Sequence, residues 1–69
     1  MIEVFKTNVE QPEQSEFLIN QIRCHVPGGK INFDLEDCDK ILRIEAERIS
    51  NETIIGLLNQ NGFLAEVLI

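Results

Sequence analysis

The chain has 69 residues, 43% of them apolar with four Phe, and sets twelve acidic side chains against six basic ones for a net charge of -6. That length is one domain, residues 1–69, near the lower limit of what folds alone, with room for a sheet and one covering layer but little for a deep catalytic cavity. The cations Lys6, Arg23, Lys30, Lys40, Arg43 and Arg48 are scattered, which argues against nucleic acid and anionic membrane as partners, since both demand clustered Lys and Arg.

Met1 leads directly into IEVF, without the basic and long apolar regions of a secretory signal. The apolar runs fall far short of a membrane span. Two cysteines, Cys24 and Cys38, fit a reducing compartment where thiols stay free. The expectation is a soluble cytoplasmic protein.

Ile2 to Thr7 (IEVFKT) is short and rich in β-formers, and predicts a strand. Its inward phase stays open, because Ile2 and Val4 compete with Phe5. Pro12 suits the first position of a helix, where its missing N–H has no partner anyway. Gln11 would be its cap, a weak choice, with Glu13 and Glu16 placed at the positive end of the dipole. Phe17, Leu18, Ile22 and Val26 recur at helical spacing with His25 beside them. Pro27-Gly28-Gly29 ends that helix.

The segment from Lys30 to Glu47 reads as a hairpin. Ile31, Phe33 and Leu35 alternate with Asn32 and Asp34, and Leu42, Ile44 and Ala46 alternate with Arg43 and Glu45. The polar stretch Glu36 to Asp39 is the turn. Ser50 caps a second helix, Glu52 complements its dipole, and Ile54, Ile55 and Leu58 form its buried face with Leu57 nearby. Asn61-Gly62 stops it, and Phe63 to Ile69 predicts the last strand. The order β-α-β-β-α-β predicts an α+β, ferredoxin-like sandwich, with a four-stranded antiparallel sheet and two helices on one face.

In order and spacing, FKTN before a helix, DLEDCDKILRIEA in the hairpin and NGF after the second helix, the chain resembles the heavy-metal-associated (HMA) domains of copper chaperones and metal-transporting ATPases. The likeness covers nearly the whole chain. The resemblance implies a CxxC pair between the first strand and the first helix, because two thiolates hold Cu(I); zinc also accepts thiolates. The matching positions here are Gln11 and Gln14, or Glu10 and Glu13 on a one-residue shift. Neither pair supplies a soft ligand, so the implied metal site is lost while the implied fold stands. Gly62-Phe63 matches a Gly-aromatic pair that lies near the family's metal loop; in this chain Phe63 is expected in the core.

The first loop, the hairpin turn and the loop before the last strand share one end of this plan. Cys38 is then at that end and Cys24 at the other, roughly 20 Å away at about 3.3 Å per strand residue. A disulfide needs Cα atoms within about 7 Å, so no bond within the chain is expected. Cys24 is expected to be a small, partly buried filler with His25 at the helix end. Cys38 with Glu10 and Glu13 is the alternative cation site; against it, Asp37-Cys38-Asp39 reads as a solvated turn. One His, no Tyr and no phosphate cradle give no support to an enzyme.

The expected function is therefore a non-enzymatic binding module without a cofactor, engaging a protein partner or a second copy through the open sheet face. Lys6, Asn32, Asp34, Arg43 and Glu45 fall on that face by alternation, and Phe5 would be its anchor if turned outward. The alternative is a copper- or zinc-binding or transport protein with an altered ligand set.

Overall fold

A computed structural model describes residues 1–68 of the chain. The elements are β1 (Ile2–Thr7), α1 (Pro12–Arg23), β2 (Lys30–Asp34), β3 (Ile41–Glu45), α2 (Asn51–Gln60) and β4 (Ala65–Val67). The strands form one antiparallel sheet in the order β2-β3-β1-β4. This is the α+β, ferredoxin-like plan expected from the alternation of patterns. No helix among the described residues is long and apolar enough to cross a membrane.

Register settles the phase of β1. Phe5 pairs with Leu42 and Val67, while Val4 pairs with Arg43 and Ile2 with Glu45. Opposed residues share a face, so Phe5 faces the helices and Ile2, Val4 and Lys6 face outward. Phe5 is fully buried with Leu18, Ile22, Leu42, Ile44, Ile54 and Leu58. Phe5 is therefore a core residue, which corrects its assignment as an anchor on the partner surface. The opposite phase would turn Lys6 into the core in place of Thr7, and an unpaired buried charge costs far more than a hydroxyl that is hydrogen-bonded.

The helices follow their apolar stripes with two departures. Leu18 and Ile22 are buried, but Phe17 is 52% exposed. It stands about 100° round the helix from Leu18, off the stripe. Regular helix also stops at Arg23, earlier than Pro27. The chain still tightens through one more turn, with the Val26 N–H donating to the Ile22 carbonyl at 3.1 Å, and Val26 enters the core. Ser50 caps α2 as expected, its hydroxyl oxygen accepting from the Thr53 N–H at 3.4 Å.

The last strand is shorter than the apolar run. Phe63 packs against the core, Leu64 is 68% exposed, and pairing begins at Ala65. Ile69, included in the expected strand, lies outside the described residues.

Candidate functional site

The turn end of the domain is held by a network centred on Thr7. Its backbone N–H donates to the Asp39 carbonyl at 3.0 Å, and its hydroxyl donates to the Lys40 carbonyl. That hydroxyl also accepts from the Val9 N–H at 3.2 Å. Val9 is fully buried although it lies in the β1–α1 loop. Farther along, the Leu64 N–H donates to Asn8 Oδ1 at 2.8 Å, which ties in the α2–β4 connection. All three segments expected at this end are thus joined by hydrogen bonds.

Within that end, Gln11 and Gln14 serve the helix start. The Gln11 N–H donates to Gln14 Oε1 at 3.2 Å, the backward arm of a capping box. The Ser15 N–H then donates to the Gln11 carbonyl at 3.1 Å, opening the helical ladder. Ser15 also donates its hydroxyl to the Pro12 carbonyl at 2.7 Å and is buried. Gln11 makes a better helix start than its side chain alone suggested, because Gln14 supplies the missing acceptor.

The β2–β3 turn is built from Asx contacts. Asp37 Oδ1 accepts from the Asp39 N–H at 2.8 Å, and Asp34 Oδ1 accepts from the Glu36 N–H at 3.3 Å. Lys40 takes a positive φ of 48° and extends its ammonium to the Leu35 carbonyl at 2.9 Å. Asp39 also pairs with Lys6 at 3.7 Å. Asp37, Cys38 and Asp39 bring their ligand-type atoms within 4.8 Å of one another. Glu10 and Glu13 are exposed and do not join that group. Cys38 and Cys24 are both free and exposed, at opposite ends of the fold. Cys24 is therefore no core filler; its thiol makes only a long 3.8 Å contact to the Asn20 carbonyl.

A surface depression of about 440 Å³ lies at the other end and is bordered by His25, Glu47 and Arg48. It is far from the β1–α1 loop, and all three side chains are exposed.

The open face of the sheet assembles the remaining candidates. Asn32, Arg43 and Val4 form one row across three strands, and Lys30, Glu45 and Ile2 form the next. Asp34 stands beside Ile41, and Lys6 beside Glu66. Asn32, Asp34 and Arg43 are all exposed, as alternation required. Along the strands Lys6, Lys30 and Arg43 balance Asp34, Glu45 and Glu66, with Asp39 at the margin beside Lys6, so most of the chain's net charge of -6 is carried by its other surfaces. Ile2 at half exposure and the rim residue Leu68 add apolar area to this face.

Comparisons with protein-family models, with curated proteins and with solved structures find no match.

Proposed function

We propose that this chain is a small non-enzymatic binding module, HMA-like in plan, that has lost the thiolate metal site and docks a protein on its open sheet face. The observation that carries the reading is the charge balance of that face. A near-neutral sum spread over alternating cations and anions, with Val4, Ile2 and Ile41 between them, suits a protein surface of mixed charge. It suits neither a polyanion nor a soft metal ion. The engagement of Gln14 Oε1 by the Gln11 N–H gives the old loop a structural task in place of metal capture. The setting consistent with two exposed free thiols is a reducing one such as the cytoplasm.

A photo-crosslinking amino acid placed at Arg43 tests the docking face in cells, with the same probe at Glu16 on the exposed side of α1 as the control. A discrete protein adduct from position 43, absent from position 16, is the expected result. Equal or no adducts from the two positions would remove the reading.

A second reading rests on the 4.8 Å grouping of Asp37, Cys38 and Asp39, which offers a thiol and two carboxylates to zinc or copper. Against it, Asp37 already serves the Asp39 N–H and Asp39 already faces Lys6. Titration of the reduced protein with Cu(I) and Zn(II) decides the matter: stoichiometric binding abolished by Cys38→Ser would install this reading over the first.

A further inference from the structure

β2 is an outer strand of the sheet, and its sequence Lys30-Ile31-Asn32-Phe33-Asp34 is complementary to its own reverse. Laid antiparallel on a copy about Asn32, it sets Lys30 against the copy's Asp34, Ile31 against its Phe33, and the same pairs again by symmetry. The backbone is oriented for this contact. The Ala46 N–H donates to the Met1 carbonyl and the Leu68 N–H to the Val4 carbonyl. Bonded pairs alternate along an antiparallel ladder. Carried through the β1–β3 and β2–β3 registers, that alternation directs the N–H and C=O groups of Lys30, Asn32 and Asp34 to β3. Those of Ile31 and Phe33 point to the free edge.

We propose that two copies of this chain join edge to edge through β2, antiparallel and centred on Asn32, making one continuous sheet from two four-stranded ones. Ile31 and Phe33 form the hydrogen-bonded pairs, and Lys30 with Asp34 forms the closer non-bonded pairs, where opposed charges interact best. Charge complementarity selects the second copy as occupant. A single charged residue on an edge is an ordinary guard against pairing, but here each guard meets its opposite in a second copy. Ile31 and Phe33 are half-buried in the single chain, and the contact covers them. The two-fold is isologous and closes on itself, so it stops at a dimer. The contact uses Lys30, Asn32 and Asp34 at the β2 margin of the docking face proposed above, while Arg43, central to that face, does not enter it.

Analytical ultracentrifugation of the full chain over a wide concentration range reads this directly. The expected result is a concentration-dependent doubling of the 7.9 kDa mass. Lys30→Asp or Asp34→Lys alone replaces two attractive pairs by two repulsive ones and weakens association by about tenfold or more. The double exchange Lys30→Asp with Asp34→Lys restores it, and Glu52→Gln, at an exposed position of α2, leaves it unchanged. Lys30 and Asp34 are both exposed and outside the core; Asp34→Lys also removes the turn contact to the Glu36 N–H, so Lys30→Asp is the cleaner single exchange, and the urea transition of each variant confirms folding. In a Cys24→Ser, Cys38→Ser background, Asn32→Cys should oxidise to a symmetric disulfide, since a non-bonded antiparallel pair sets its Cα atoms about 4.5 Å apart. A monomer persisting to about 1 mM, where only about 4 kcal/mol of affinity would be needed, overturns the proposal. So does a dimer indifferent to the single exchanges, or one that the double exchange does not restore.

Discussion

Val4 and Phe5 are neighbours in β1 with opposite fates. Phe5 is fully buried beneath both helices, whereas Val4 stands in a row with Arg43 and Asn32 on the open face. The same strand thus serves two surfaces that obey different rules. The helix side is held by dense apolar packing, where one lost group leaves a void. The open side is a spread of separated charges and small apolar areas that leaves stability nearly indifferent and binding free to vary. In a chain of this size total stability is roughly 3–10 kcal/mol, so the two faces should respond to substitution on very different scales.

The sharpest test of that contrast is Phe5→Ala. It should cost about 3–5 kcal/mol and leave the chain largely unfolded, seen as loss of the cooperative urea transition. Next comes Thr7→Ala, which strands the buried Val9 N–H and the Lys40 carbonyl. A cost of about 1–3 kcal/mol is expected, with Thr7→Ser recovering most of it because the hydroxyl returns. On the open side, Val4→Thr should move the urea midpoint by no more than about 0.5 kcal/mol equivalent. Lys6→Gln should do less still, since the Lys6–Asp39 pair is long and both side chains are well exposed, and such pairs contribute about 0–1 kcal/mol at most. A large loss in either of the last two would erase the distinction between the faces.

The sequence shows the scaffold more clearly than the surfaces. The hairpin alternation of Ile31, Phe33, Leu42 and Ile44 gives the right strands and faces because one side of each is consistently polar. β1 lacks that contrast: Ile2, Val4 and Phe5 are β-formers of both parities, and only pairing with β3 and β4 decides between them. Val9 escaped notice for a related reason. It is a lone apolar residue in a polar loop, and its burial depends on Thr7 drawing its N–H inward. Phe17 misled in the other direction, since size and helical position suggested burial while its angle round the helix denied it. At the candidate site, the lack of sulfur at Gln11 and Gln14 was plain from residue identity. Their service to the helix start was not, because it needs the geometry of the backbone at Gln11. The edge complementarity of β2 was present in five letters, but it acquires meaning only once that strand is known to be outermost.

The sheet order has a consequence for the growing polypeptide. β1 is made first yet stands inside the sheet, flanked by β3 on one side and β4 on the other. A nascent chain therefore carries this strand with one flank bare until Ala65–Val67 has left the ribosome. Through that interval the helix α2 has no neighbour on the β4 side, so the fold cannot settle before β4 is free to pair.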